Sequence, residues 1–296
     1  ASDVYKRQKE RCDVVMTLLS VEHLQIIDSW TNIKLVEDVH FSVAHGETLG
    51  MIGESGSGKS ISCKALTGLN PERLHVTGDI YFENQNLMHL SKRDLRHKRG
   101  KDIAMVMQQG TRAFDPSTPV GKQMFETMRI HTMLSQLQIK QTLVEYMTFM
   151  KLKEPEKILT SYPHMLSGGM LQRLMIILAL ALKPKLIIAD EPTTALDTIT
   201  QYDVLKAFQD IKHHFNCAMI FISHDLSVIH HIADRVIVMK DGRVIESGAT
   251  DAILNQPKDA YTQYLISAKK KINEHFERVM RGEIHAKSCL LYTSPS

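Results

Sequence analysis

Cysteine is scarce in this 296-residue chain, and its spacing excludes more than its number does. Cys12, Cys63, Cys217 and Cys289 are scattered with no C-x-x-C pair, which argues against a disulfide framework or zinc knuckle and fits a reducing compartment. They read as ordinary buried or terminal thiols. Long apolar runs are missing too: the longest near the middle, Leu174 to Leu182, falls far short of the roughly 20 residues that a membrane span requires. Neither sign of charge dominates. The 36 basic and 33 acidic residues leave +3, spread along the chain, so charge nominates no nucleic-acid partner. No internal repeat is visible, which argues against a tandem pair of units.

What is present begins with Gly53-Glu54-Ser55-Gly56-Ser57-Gly58-Lys59-Ser60, followed by Ile61. This fits the phosphate-cradle pattern G-x-x-x-x-G-K-[ST]: an apolar stretch, Thr48 to Ile52, leads into glycines that let backbone N–H groups close around phosphate oxygens. The following helix then points its N-terminus at the anion. Lys59 is expected on the β- and γ-phosphates, and the Ser60 hydroxyl on Mg²⁺. Far downstream, Leu186-Ile187-Ile188-Ala189 ends in Asp190-Glu191. An aspartate closing a buried strand can hold Mg²⁺ opposite Ser60, and Glu191 is placed to polarise the attacking water. Alone, such a strand exit is weak evidence; after a complete phosphate loop it is strong.

Between these motifs β-like and helix-like stretches alternate. Leu18 to Ile27, Val36 to Val43 and Asp79 to Phe82 read as strands, and the helix after Lys59 runs to about Leu69 before Asn70-Pro71. From Thr118 to about Leu159, Met124, Met128, Leu134, Leu137, Leu143, Met147 and Met150 suggest helices of a separate subdomain, with methionine as adaptable core packing rather than metal ligand. Lys185 to Ala189 and Ala218 to Ile222 return as continuous apolar strands of the kind buried on both faces of a parallel sheet. Residues 1–15 show no amphipathic period and Met16 is a plausible start; the opening Ser2 to Gln8 and the closing Cys289 to Ser296 resemble adapter-derived read-through, so 1–15 and 286–296 are expected to be non-native.

A third motif narrows the field. Leu166-Ser167-Gly168-Gly169-Met170-Leu171-Gln172-Arg173 sets a capping serine and two glycines before a helix, a second anion-binding helix N-terminus. With the phosphate loop and Asp190-Glu191, the chain resembles the ABC-family ATPases over nearly all of Met16 to about Met280. The resemblance implies an α/β fold: a P-loop NTPase nucleotide-binding domain over 16–268, with a RecA-like core, an antiparallel β subdomain and a helical signature subdomain at about 110–180, then a helical extension over 269–285.

It further implies roles. Ser167, Gly168, Gly169 and Gln172 are expected to bind the γ-phosphate held by a partner subunit, and Asp197, in Thr194-Ala195-Leu196-Asp197, to cross that interface. Gln108, after Ile103 to Met107, resembles the family's nucleotide-reporting glutamine and is expected at the Mg²⁺ with Ser60 and Asp190; Gln109-Gly110 departs from the Asp-Pro that many relatives carry there. His224, after the strand Ala218 to Ile222, resembles the histidine that contacts the γ-phosphate and catalytic glutamate. Trp30, the only tryptophan, lies 23 residues before Gly53, where an aromatic stacks on adenine in the family. Lys59, Glu191 and His224 are thus the catalytic expectation, and ATP and Mg²⁺ the ligands.

Tyr162-Pro163-His164-Met165, the segment from Asp190 to Asp197, and the tail Gln256-Pro257 to Leu265 are similar to ATPase subunits of peptide and nickel importers. The Met170-Leu171-Gln172-Arg173 variant most resembles the nickel/cobalt or metallophore branch. That resemblance implies a peripheral subunit on the cytoplasmic face of the membrane, two permeases, a second unlike ATPase, and an extracytoplasmic solute-binding protein acting indirectly. A peptide importer of the same group is the alternative; a soluble ABC ATPase of translation or repair fits less well, since neither a second nucleotide unit nor heptads are seen. His213-His214 and His230-His231 read as solvated helix histidines, because adjacent residues point about 100° apart on a helix. Lys269-Lys270-Lys271, with Arg278 and Arg281, reads as a solvated face.

Overall fold

The computed structural model describes residues 17–108, 110–194, 196 and 198–268. The expected foreign ends, the helical extension over 269–285, the basic run and Asp197 lie outside the described residues.

Two sheets are built from β1 (Thr17–Asp28), β2 (Ile33–Ala44), β3 (Thr48–Ile52), β4 (Leu74–Phe82), β5 (Gln85–Asn86), β6 (Ile103–Val106), β7 (Leu186–Asp190), β8 (Ala218–Ile222), β9 (Arg235–Lys240) and β10 (Arg243–Ala249). One is antiparallel in the order β2-β1-β4-β5; the other runs β10-β9-β3-β8-β7-β6. In the second, the strands from β9 to β6 are parallel and β10 is an antiparallel edge. The continuous apolar runs have their physical reason here. In β7 every residue is buried, and alternate side chains serve different cores: Leu186 and Ile188 pack with the antiparallel sheet and α1 (Lys59–Leu66), Ile187 and Ala189 with the helices on the other face.

Two element ends differ from the expected ones. Helix α1 stops at Leu66 rather than about Leu69, because Gly68 takes a left-handed φ of 62°. Its N–H donates to Ala65 O and that of Leu69 to Lys64 O, a closed C-terminal turn. Strand β4 begins at Leu74, five residues before the expected Asp79. Gly78 sits inside the strand with φ 106°, where an added Cβ would stand 2.5 Å from His23 O across a bulge in β1.

The helical stretch is α2 (Lys92–Lys101), then α3 (Val120–His131), α4 (Gln136–Phe149), α5 (Pro155–Thr160) and α6 (Gly168–Ala181). Met124, Met128, Leu143, Met147 and Met150 are all buried, as methionine packing requires. Leu134 and Leu137 are not: 37% and 66% exposed, they lie just before and within the capping box of Ser135 and Gln138 where α4 begins outside the core. After β7 come α7 (Thr198–Phe215), α8 (Leu226–Ile232) and α9 (Thr250–Asn255), then helical residues 260–268. Among the described residues no helix is long and apolar enough to cross a membrane.

Candidate nucleotide site

The parallel strands deliver their C-terminal ends to one edge, where the phosphate loop leaves β3, the two carboxylates leave β7 and His224 follows β8. Gly53 leaves β3 with φ 151°, and a Cβ there would meet Met239 O at 2.2 Å, so β9 packs against the loop's first residue. Gly58 turns into α1 with φ 99°, against Leu35 O and the Val36 side chain of β2. The loop is tied down from outside: Gly242 N–H donates to Ser57 O at 3.1 Å, and Glu54 N–H donates to the Tyr261 hydroxyl at 3.1 Å.

Lys59 is 8% exposed, and its ammonium donates to Gly53 O (3.1 Å), Glu54 O (2.7 Å) and the Ser57 hydroxyl (3.1 Å). A buried cation thus stands inside the loop at the N-terminus of α1, whose first-turn N–H groups lack intrahelical partners. Ser60 donates its hydroxyl to Asp190 Oδ1 at 2.8 Å, joining the start of α1 to the end of β7. Burial pushes the Asp190 carboxyl above the usual carboxylate range; the Ser60 hydrogen bond opposes the rise and the Glu191 charge adds to it. The set fits its expected ligands: an ammonium and helix N-terminus for phosphate, and two hard oxygen donors, Ser60 and Asp190, for Mg²⁺.

Glu191 departs from strand geometry with a left-handed φ of 48°, its N–H still held by Ile222 O. Three groups converge on its Oε2: the Gln108 amide at 2.8 Å, the Thr194 hydroxyl at 3.2 Å and His224 Nδ1 at 3.4 Å. The general-base candidate is therefore oriented by a segment on each side of it, β6–Gln108 and β8–His224. Gln108 was expected at the metal beside Ser60 and Asp190; in this structure its amide nitrogen donates to Glu191.

Ser167, Gly168 and Gly169 lie at the exposed N-terminus of α6, with Ser167 Oγ accepting from Met170 N–H at 3.3 Å. Gln172, grouped with them by sequence, is 1% exposed and points inward. Its amide nitrogen donates to Met107 O (3.2 Å) and Pro192 O (3.0 Å), and its oxygen accepts from Gly110 N–H (2.7 Å). Four residues past Gly168 is one full turn, but this turn delivers the side chain to the backbone behind Gln108 and Glu191. Trp30 is 78% exposed in the β1–β2 turn, with the Arg73 guanidinium 5.3 Å from its ring centre. Ser55 and Gly56 are exposed at the crest of the loop, and Ile61 is half-buried in the first turn of α1.

Sequence reasoning missed Gln172 as a brace, Thr194 on the base, and Tyr261 on the loop. Tyr261 lies 207 residues from its partner Glu54, beyond any local pattern. Of the histidine pairs, His230 faces Asp251 at 3.1 Å, and the His213 and His214 side chains lie outside the described residues. Cys63 and Cys217 are buried thiols whose pKa burial raises, to about 12 for Cys217.

Comparison with known proteins agrees with this geometry. A family model described as "ABC transporter" matches residues 36–194. The chain is 68% identical over 270 residues to the metal-staphylopine import system ATP-binding protein CntD of Staphylococcus aureus, covering 91% of this chain and 100% of that one. It is 40% identical over 238 residues to the oligopeptide transport ATP-binding protein OppD of Bacillus subtilis, covering 80% and 66%. Among solved structures it is similar to an ATP-binding subunit of an ABC transporter, with a TM-score of 0.70 at 26% identity over 86% of this chain and 100% of the other. On these matches the chain belongs to the ABC transporter family as one of its ATP-hydrolysing subunits.

Proposed function

We propose that this chain powers an importer of a divalent metal, carried free as nickel or cobalt or within a metallophore, from the cytoplasmic face of the membrane. The observation that carries the reading is 68% identity over the full length of a metal-staphylopine import ATPase. The 40% likeness to an oligopeptide ATPase supports the second reading, a peptide cargo. Two permeases and a second, unlike ATPase complete the assembly, with a solute-binding protein delivering cargo outside.

In the mechanism, Trp30 stacks on adenine while the loop from Gly53 to Ser60 encloses the phosphates. Nucleotide phosphate takes over the Lys59 ammonium from the loop carbonyls, an exchange of neutral for charged acceptors that strengthens each contact. Ser60 and Asp190 would hold Mg²⁺, which when bound supplies charge neutralisation on the phosphates. Glu191 accepts the proton of the attacking water, and His224 secures the γ-phosphate from the other side. Ser167, Gly168 and Gly169 of one ATPase face the nucleotide of its partner, and Asp197 crosses between them. Gln108, bonded to Glu191 and backed by Gln172, passes the state of the site to helices α3–α6 and so to a permease.

The test is co-purification from detergent-solubilised membranes with mass spectrometry, followed by uptake of labelled nickel, cobalt and a peptide mixture. Recovery of two permeases and a second ATPase, with metal uptake lost on deletion, is the expected result. Peptide uptake lost instead favours the second reading, and recovery of soluble partners alone overturns both.

A further inference from the structure

Away from the nucleotide edge, the solvent face of the antiparallel sheet carries an unexplained cluster. Among the described residues, His23, Asp38 and His40 each bring one potential ligand atom within 4.8 Å of the others. Asp38 and His40 are two apart on β2, so they share a face, and the bulge in β1 turns His23 toward them. Asp38 Oδ1 lies 2.9 Å from both His23 Nδ1 and His40 Nε2. The ring centres are 4.3 Å apart. These contacts hold the Asp38 carboxyl below its ordinary range.

We propose that His23, Asp38 and His40 form a surface site for a divalent transition-metal ion of zinc type. Two imidazoles and a carboxylate are a complete protein ligand set for an open tetrahedral site, with water in the fourth position. Such a site spaces its ligand atoms about 3.3 Å apart, given metal–ligand bonds of about 2.0–2.1 Å. Side-chain movements on the order of 1 Å convert the present cluster to that spacing. Binding displaces the protons that now bridge the rings to Asp38: each imidazole stays neutral by carrying its proton on the other ring nitrogen. For His40 this gives up one long contact, the 3.3 Å bond that Nδ1 accepts from His23 N–H. The scaffold is prepared, since His23 and Asp38 both hold left-handed backbone, at φ 51° and 53°. Gly78 makes room for the bulge at His23.

The backbone beside the cluster is linked to the nucleotide loop. Glu37, beside Asp38, donates its N–H to Gly242 O at 2.8 Å, and Gly242 donates to Ser57 O. Metal held by Asp38 therefore bears on the phosphate loop through two backbone hydrogen bonds, and changes its affinity for nucleotide. This inference does not depend on which cargo the transporter carries.

The experiment titrates the full-length chain with Zn²⁺ alone, in excess Mg²⁺, by calorimetry, with X-ray absorption to identify ligands and a fluorescent ATP analogue to read the loop. Expected are one Zn²⁺ with two imidazole ligands, and binding weakened about tenfold or more in the His23→Ala/His40→Ala double variant with its melting temperature retained. Zn²⁺ binding unchanged in that variant, or absent from the parent, overturns the site. A shift of twofold or more in analogue affinity with Zn²⁺, lost in the variant, supports the link to the loop; Zn²⁺ bound with no shift overturns that link.

Discussion

Glu191 carries its carboxylate on backbone that a non-glycine residue seldom adopts, and a single oxygen of it collects Gln108, Thr194 and His224. Strain of this kind persists only where surrounding contacts over-determine it, as three side chains do here. Glu191→Gln preserves shape and removes the base, so it is expected to keep ATP binding while turnover in the assembled transporter falls about 10²–10⁴-fold. Paired nucleotide-binding and phosphate-release assays check this, and unchanged release excludes Glu191 as base. Asp190 makes the opposite exchange of stability for function. Burial raises its pKa in the folded chain, so the folded state binds a proton that the unfolded state gives up. The ionised carboxylate therefore costs stability above the raised pKa, and the cost vanishes as pH falls through it toward the unfolded value. Asp190→Asn is expected to raise the melting temperature of the unliganded chain at about pH 7, by an amount that shrinks toward about pH 4, while Mg²⁺-dependent turnover is lost. A variant that melts lower at neutral pH excludes this reading. At this scale the phosphate loop was legible because backbone geometry dictates its glycines and chemistry its lysine. Tyr261 was not, since its partner lies 207 residues away and is fixed by tertiary contact; nor was Thr194, whose local contact depends on the left-handed turn at Glu191 that no residue type announces.

Among elements, α6 does two jobs from one end. Its exposed first turn offers Ser167, Gly168 and Gly169, while Gln172, one turn on, ties together the segments after β6 and after β7. Gln172→Ala leaves Gly110 N–H, Met107 O and Pro192 O without this partner in a buried place. At about 1–3 kcal/mol for each buried group left unsatisfied, with some re-solvation, roughly 3 kcal/mol of stability is expected to go. Urea unfolding measures it, and a change within 0.5 kcal/mol would mean that water replaces the amide. The buried strands and methionine helices were readable from their apolar pattern, because a core imposes its period on whatever faces it. Helix α2 was not: it buries none of its residues, so no period marks it. Strand β10 is half-exposed at a sheet edge, and β4 hides behind Gly78, whose role is set by the bulge it faces. Gln172 was misassigned for a related reason: a motif names a segment, and only the helix it opens decides which of its side chains turn inward.

At the scale of the whole molecule, the nucleotide edge holds the phosphate loop, the Ser60 and Asp190 oxygens proposed for Mg²⁺ and the proposed base Glu191, while the glycine pair of α6 lies at an exposed helix N-terminus. An anion-binding end facing solvent in one chain is what a site shared between two chains requires, each closing the other's nucleotide. Gly168→Asp separates the two halves of that design. A carboxylate in the first turn suits the dipole of α6, so the helix is retained, yet it repels a γ-phosphate presented by the partner. Nucleotide binding to the isolated chain, governed by Lys59 and the loop, is expected to remain within about twofold of the parent by calorimetry. Turnover in the assembled transporter is expected to fall about 10²-fold, the loss that follows when one oxyanion-type donor is removed from a phosphate or acyl site. If both measurements fell together, α6 would be contributing to its own chain's nucleotide; if neither did, the site would be complete within one chain and closure against a second ATPase would have no catalytic purpose.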